Sequence, residues 1–325
     1  MTIEIKDGIE GTSEEYRSNG ADLRDLLIPV GAMTQTKPPP APMLLRTEGG
    51  VDFLPQGKVC MIAAEGGKGK TALLVNLAIS IATGRRFLSY CSPNDPAKVA
   101  MILGEEDRDD IHRRLWRSMD GMNLDEDEKG KLSANLYILP CVGQRNTRFA
   151  EDKERGNELK DALKQEGPWS LIIADPLSRF GGSEMETDNA QATDTIRFFE
   201  ELLKLEGNPT VLLSHHVRKS NKEDKQTTID DIRGSSALKD GARWAATIIE
   251  NGKTDINLDE STQTRNALNK LEPKSMTLRI LKANSVATGQ EIKYEMKDGI
   301  VRSSEQNEYK AQRLGGRSWT RGPVG

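Results

Sequence analysis

The sequence predicts an α/β fold, a three-layer sandwich in which helices cover both faces of a mostly parallel central sheet. Two observations carry this prediction. Strand-like and helix-like runs alternate from about residue 45 to residue 245. Such alternation is typical of parallel sheets, because each crossover helix packs against a face of the sheet. In addition, a glycine-rich segment joins one strand-like run directly to a helix-like run.

That glycine-rich segment, residues 64–71, reads Ala-Glu-Gly-Gly-Lys-Gly-Lys-Thr. A strand-like run, residues 58–64, leads into it, and a helix-like run, residues 71–82, leaves it before Gly84 ends the helix. Its three glycines let successive backbone N–H groups converge on a polyphosphate, and the helix N-terminus adds partial positive charge. The pattern therefore predicts a phosphate-binding loop, with alanine where the usual motif has its first glycine.

Within this loop, Lys70 is expected to reach the β- and γ-phosphates, and the hydroxyl of Thr71 is expected to bind Mg²⁺. The residues predicted to hold the nucleotide are Ala64, Glu65, Gly66, Gly67, Lys68, Gly69, Lys70 and Thr71.

The later elements follow in the same alternating order. Strands are predicted at residues 99–103, 136–139, 170–174 and 210–214, and helices at residues 107–119, 151–166 and 189–205. Two shorter runs, residues 276–281 and 291–296, predict antiparallel additions to the sheet.

The two ends of the chain and its overall composition give further predictions. Residues 1–44 are predicted to be an extension with a possible short helix at 21–28 and a proline-rich linker at 37–42, and the polar tail 301–325 is predicted to be disordered. The net charge of −4 does not by itself indicate a polyanion partner. The three cysteines lack metal-ligand spacing, and the sequence shows neither a signal peptide nor an apolar run long enough for a membrane span. These features predict a cytoplasmic protein without a membrane partner.

Acidic residues end two of the predicted strands. Asp175 follows a buried run and is predicted to hold Mg²⁺ on the side opposite Thr71; the alternative is an N-cap or turn aspartate before Pro176. Glu105 and Glu106 follow the strand at 99–103, and one of them is predicted to polarise the attacking water, with Glu106 favoured. The alternative for this pair is two acids that favour a helix dipole, which is also how we interpret Asp107 and Asp109.

Histidines and cations supply the remaining candidates. Either His215 or His216, at the end of the strand 210–214, is predicted to sense the γ-phosphate, with the alternative of an ordinary strand-end histidine. Arg243 is predicted to act in a neighbouring subunit's site, or else to form a structural ion pair, and Lys282 is a second candidate for a cation acting in trans.

The loop that follows the two histidines, residues 217–232, has no apolar periodicity and carries several cations. Such a loop is predicted to contact a nucleic-acid backbone, with a solvated surface loop as the alternative. The cations concerned are Arg218, Lys219, Lys222 and Lys225. A second loop, residues 181–188, is acidic and makes a poor phosphate contact by itself.

These motifs together resemble the RecA-like ATPase core of RepA-type plasmid replicative helicases, over residues 45–300. The matching segments are Ala64–Thr71, Glu105–Asp107, Leu171–Asp175 with Arg179-Phe180, Ser214–His216, Arg233–Ser236, Arg243-Trp244 and Lys282–Asn284. The resemblance implies ATP and Mg²⁺ as cofactors, a ring that is commonly hexameric, single-stranded DNA in its channel and replication-initiation proteins as further partners. A recombinase-like or regulatory ATPase that does not unwind DNA is the alternative.

Overall fold

The computed structural model describes residues 27, 29–47, 52–88, 91–93, 95–217, 228–232, 234–251, 273–284 and 288–304. Its helices are α1 (Val30–Met33), α2 (Lys70–Thr83), α3 (Arg108–Gly121), α4 (Glu126–Asn135), α5 (Lys153–Glu166), α6 (Asn189–Glu201) and α7 (Ser236–Gly241). Its strands are β1 (Met43–Thr47), β2 (Asp52–Pro55), β3 (Val59–Ala64), β4 (Cys91–Pro93), β5 (Val99–Leu103), β6 (Leu136–Pro140), β7 (Leu171–Asp175), β8 (Thr210–His216), β9 (Trp244–Glu250), β10 (Lys274–Ala283), β11 (Glu291–Lys297) and β12 (Ile300–Ser303).

Within the described ranges, nine strands form one central sheet in the order β12-β11-β10-β9-β3-β8-β7-β5-β6. The strands from β9 to β6 pair in parallel, and β10, β11 and β12 continue the sheet with antiparallel pairing. The two antiparallel additions predicted from the sequence are therefore confirmed as β10 and β11. The strand β8 lies between β3 and β7, so three successive strand ends meet at one edge.

Two hydrophobic cores cover the two faces of this sheet. Alternate residues of β3 face different cores: Cys60 and Ile62 pack with α2, α3 and α4, while Met61 packs with α5, α6 and α7. The period-two alternation of a strand buried on both faces explains why β3 reads as a continuous apolar run. The predicted three-layer α/β fold is thereby confirmed.

The structure differs from the predicted elements in a few places. Helix α4 was not predicted, because its residues 126–135 have one buried apolar side chain and little periodicity. Helix α6 ends at Glu201 and continues as a 3₁₀ turn, Leu202–Lys204. Strand β8 extends two residues beyond the prediction, to His216, because His216 pairs with Ala64 of β3.

The segments outside the central sheet bear on the predicted boundaries. Strands β1, β2 and β4 form a separate small sheet that begins at Met43. Strand β12 crosses the predicted boundary at residue 300, because Val301 and Arg302 pair with β11. The possible helix at 21–28 and most of the tail lie outside the described residues. Of the helices described, none is long and apolar enough to cross a membrane.

Candidate functional site

The glycine-rich loop follows β3 and leads directly into α2, as the sequence predicts. Gly67 and Gly69 adopt φ values of 75° and 78°, in the left-handed region that L side chains rarely occupy. A Cβ atom added to Gly66 or Gly67 would meet no heavy atom within 4 Å. The loop therefore presents its backbone to open space at the N-terminus of a helix, which suits a polyphosphate chain.

Lys70, the first residue of α2, is buried and turns back over the loop. Its Nζ donates a hydrogen bond to the carbonyl oxygen of Ala64 at 3.3 Å and lies 3.3 Å from Nδ1 of His216. Burial lowers the pKa of Lys70, and the negative charges of Asp175 and Glu105 oppose that lowering. Lys70 thus lies among the side chains that the sequence assigned to one site.

Thr71, at the start of α2, and Asp175, at the end of β7, are in direct contact. The Thr71 hydroxyl donates a hydrogen bond to Oδ2 of Asp175 at 2.6 Å, and the Asp175 side chain is buried. A hydroxyl and a carboxylate are hard oxygen donors, which Mg²⁺ prefers, and Mg²⁺ is commonly held by one or two protein groups together with substrate phosphates. The donor set therefore fits the predicted ion.

The two glutamates after β5 have different surroundings. Glu106 forms a two-pronged ion pair with Arg114 of α3, from Nε at 3.2 Å and from Nη2. Glu105 accepts a hydrogen bond from Nε of Arg179 at 3.3 Å, and its charge acts on Lys70. Asp107 caps α3 by accepting from the backbone N–H of Asp110, as its interpretation as a helix-start acid requires.

The two histidines at the end of β8 also differ, because successive residues of a strand point to opposite faces. His216 is partly exposed and contacts Lys70. His215 is fully buried, and a Cβ added to Gly234 would lie 3.5 Å from its Nε2. His216 therefore faces the candidate phosphate site, and His215 packs beneath the segment that leads to α7.

Arg243 and Lys282 lie at the other end of the sheet. The backbone N–H of Arg243 donates to the carbonyl oxygen of Val59, at the start of β3, which is roughly 16 Å along the strand from Ala64. The Nζ of Lys282 donates to the carbonyl oxygens of Lys239 and Asp240 at 2.9 and 3.1 Å, and burial lowers its pKa. These two cations are thus separated from the loop of their own chain.

A family comparison matches residues 28–222, more than half of the chain, to the model described as "AAA domain". The chain belongs to the AAA domain family. No curated protein matches the chain. Family membership implies that this AAA domain protein uses a nucleotide and typically Mg²⁺.

Solved structures match the fold of this AAA domain protein over 77% of the chain. A DnaB-like replicative helicase, whose structure is described with its primase interactions, has a TM-score of 0.55 at 14% identity, and the chain covers 59% of that protein's length. The ATPase domain of G40P has a TM-score of 0.54 at 14% identity, and the chain covers 86% of that domain's length. The RadB recombinase has a TM-score of 0.50 at 11% identity, and the chain covers 92% of its length. The fold is therefore RecA-like.

The sequence interpretation assigned no role in the site to three side chains that border it in this AAA domain protein, although Arg179 was among the segments that carry the resemblance. Arg179 contacts Glu105, Arg114 contacts Glu106, and Glu250 at the end of β9 contacts Lys68 of the loop. Local spacing gives no signal for these contacts, because side chains pair on a helix at three or four residues apart, whereas Arg114 follows Glu106 by eight and Glu106 precedes α3. The predicted nucleic-acid contacts Arg218, Lys219, Lys222 and Lys225 lie outside the described residues.

Proposed function

We propose that this protein hydrolyses ATP in a Mg²⁺-dependent reaction at the edge where β3, β8, β7 and β5 end. The observation that carries the proposal is the convergence of Lys70, Thr71, Asp175 and His216 around one open glycine loop. Catalysis of phosphoryl transfer requires mainly positioning and charge stabilisation of the phosphates, and these four side chains can supply both.

Each residue has a specific task in this proposal. The N–H groups of the loop and the ammonium of Lys70 bind the β- and γ-phosphates, and burial of Lys70 strengthens that attraction. Thr71 and Asp175 would hold Mg²⁺, whose charge would offset the negative charge of the phosphates. His216, in contact with Lys70, senses whether the γ-phosphate is present.

For the carboxylate that orients the attacking water, we propose Glu105 rather than Glu106, which the sequence had favoured. Glu105 is exposed and acts electrostatically on Lys70. Glu106 is occupied by Arg114, and this pair fixes the first turns of α3 against the end of β5. Glu105 also meets an arginine, but its contact with Arg179 is a single hydrogen bond at 3.3 Å between exposed side chains. This difference supports a catalytic role for Glu105 and a structural role for Glu106.

We further propose a ring, commonly of six subunits, in which Arg243 or Lys282 reaches the nucleotide of a neighbouring subunit. Support comes from their position, because both lie too far from their own chain's loop to act there. An arginine supplied in trans stabilises the charge that develops on the γ-phosphoryl oxygens. Turnover should then rise with protein concentration.

The biological role that we propose is a replicative DNA helicase of plasmid or phage type that acts on single-stranded DNA. The RecA-like fold shared with a DnaB-like helicase and with the G40P ATPase domain supports this role. A nucleotide-switched DNA-binding protein that does not unwind is the second candidate, and the comparable match to the RadB recombinase favours it.

The first experiment measures Mg·ATP binding by calorimetry and phosphate release with purified wild-type protein and the Lys70→Ala variant. Wild-type turnover that needs Mg²⁺ and disappears in the variant is expected. A folded wild-type protein that takes up no Mg·ATP would refute the proposed function.

The second experiment separates the two candidate roles by strand displacement. A helicase should unwind a forked duplex, and both Lys70→Ala and the double variant Lys219→Ala/Lys222→Ala should abolish unwinding, while only the first should abolish ATP binding. If the wild-type protein hydrolyses ATP without displacing a strand, the second candidate is supported. If the double loop variant unwinds normally, the assignment of these lysines to the DNA channel is wrong.

A further inference from the structure

Of the strands β9 to β12, β9 and β11 contact the glycine loop, and the hairpin β11–β12 contacts α2. All four strands lie beyond residue 222, where the match to the family model ends. Strands β9 and β11 lie beside the nucleotide site, on the side opposite Asp175. Strand β9 pairs with β3, and β11 lies next to the loop. Three separate contacts join this part of the sheet to the site.

The first contact is an ion pair between Lys68, in the middle of the loop, and Glu250, the last residue of β9. Nζ of Lys68 donates to Oε2 of Glu250 at 2.7 Å, and both side chains are less than one-third exposed. Lys274 of β10 lies 3.5 Å from the other carboxylate oxygen. The hydrogen bond from Lys68 lowers the pKa of Glu250, so the carboxylate is charged at neutral pH.

The second contact is steric. The end of the Met296 side chain on β11 packs against Gly69, where an added Cβ would lie 2.4 Å from the Met296 sulfur. The third contact is a pair of hydrogen bonds at Asn76 of α2, which donates to the carbonyl oxygen of Gly299 at 2.8 Å and accepts from the N–H of Val301 at 3.3 Å. The hairpin β11–β12 is therefore fastened to the helix that begins at Lys70.

We propose that Glu250 is a positioning residue of the nucleotide site, which holds the glycine loop in its phosphate-binding shape through Lys68. This inference rests on the proposed binding of Mg·ATP. Lys68 extends its side chain to Glu250, while its backbone N–H donates to the carbonyl oxygen of Glu65 at 3.4 Å across the loop. Fixing the side chain restricts the torsions of the one residue that lies between Gly67 and Gly69, both in left-handed conformations.

The sign of the change in Mg·ATP affinity distinguishes a positioning role of Glu250 from simple charge repulsion. A carboxylate near a polyanion repels it, so loss of the charge alone would tighten Mg·ATP binding. Loss of a positioning contact has the opposite sign, because the free loop samples shapes that cannot bind and the apparent affinity falls with the competent fraction. Glu250→Gln and Glu250→Ala should therefore both weaken binding.

The experiment measures the dissociation constant of Mg·ATP by calorimetry for the wild-type protein, Glu250→Gln, Glu250→Ala, Lys68→Ala and the double variant Lys68→Ala/Glu250→Ala. We expect each single alanine variant to weaken binding by roughly three- to tenfold, and the double variant to be no weaker than the weaker single variant. In turnover assays of the two Glu250 variants, KM should rise while kcat stays close to the wild-type value.

Glu291→Ala is the matched control. Glu291 of β11 pairs with Arg279 of β10 at 2.6 Å, in the same antiparallel part of the sheet but without a contact to the loop. This variant should lose a similar amount of thermal stability and keep the wild-type affinity. Unchanged or tighter binding in the Glu250 variants, or additive effects in the double variant, would overturn the inference. A wild-type protein that does not bind Mg·ATP would instead overturn the proposed function.

Discussion

The two ends of the parallel sheet carry opposite kinds of chemistry. At the carboxyl end, the negative charges of Asp175 and Glu105 act on Lys70 beside an open loop. At the amino end, Arg243 is exposed and Lys282 lies on the carbonyl oxygens at the end of α7. The carboxyl end thus holds both a phosphate cradle and acids, whereas the amino end presents cations without a phosphate site of their own.

This difference follows from the topology of the sheet. The carboxyl ends of parallel strands open toward loops and helix N-termini, which attract anions, and ligands bind at that edge. Arg243, at the amino end of β9, lies roughly 16 Å along β3 from that edge. In the ring that we propose, two copies of the chain would combine the two ends into one site.

The largest effect should come from the carboxyl end. Lys70→Ala removes the one ammonium buried beside the glycine loop among the described residues, so phosphate release should fall by at least about 100-fold and Mg·ATP binding should weaken strongly. Malachite-green phosphate assays and calorimetry measure the two quantities. A variant that keeps near-normal turnover would show that the carboxyl end is not the catalytic end.

The next effect distinguishes the two glutamates. Glu105→Gln should lower kcat by roughly 100-fold with little change in Mg·ATP affinity, because only the group that orients water is lost.

Glu106→Gln should instead lower the melting temperature, by a few degrees for roughly 1 kcal/mol, because it breaks a partly buried ion pair with Arg114. Its kcat should stay within a few-fold of the wild-type value. If the Glu106 variant is the inactive one, the assignment of roles is reversed.

The amino end can be tested by mixing. Arg243→Ala alone should reduce kcat by roughly 10- to 1000-fold, since a cation in trans acts on the transition state. Lys70→Ala protein is also impaired but keeps Arg243. Mixtures of the two impaired variants should exceed the summed activity of the separate variants, because some interfaces then combine an intact loop with an intact arginine. Mixtures whose phosphate release does not exceed that sum would contradict a site that two copies combine.

A smaller difference is expected between the two histidines. His216→Ala should reduce turnover several-fold, because the side chain contacts Lys70. His215→Ala leaves a cavity in a fully buried position and should mainly lower the unfolding free energy, by about 2–4 kcal/mol. Turnover and urea unfolding of both variants check this pair, and equal turnover loss in both would argue against a separate role for His216.

The smallest effect concerns pH. Because burial lowers the pKa of Lys70, the unliganded protein should lose this proton at a lower pH than an exposed lysine would. Bound phosphates favour the charged form, so Mg·ATP affinity should decline as the pH rises into the alkaline range, with proton uptake on binding. Calorimetry in two buffers of different ionisation enthalpy measures that uptake, and zero uptake throughout this range would contradict a lowered pKa.

The candidate nucleotide site was predictable from the sequence, because its signals are local. A glycine loop between a buried strand and a helix has a fixed geometry, and Asp175 could be placed beside it since parallel strands end at the same edge. Helix α4 was not readable, because its charged residues show almost no apolar periodicity.

By itself, then, the sequence determined the α/β layering, the phosphate loop and the set of candidate acids, histidines and cations, since these depend on short-range pattern and strand order. Only the tertiary structure decided which member of each pair faces Lys70 and where Arg243 and Lys282 lie relative to the loop. It alone also joined Glu250 to Lys68, which are 182 residues apart. The physical reason is that side-chain direction and long-range ion pairs depend on packing, which no local spacing specifies.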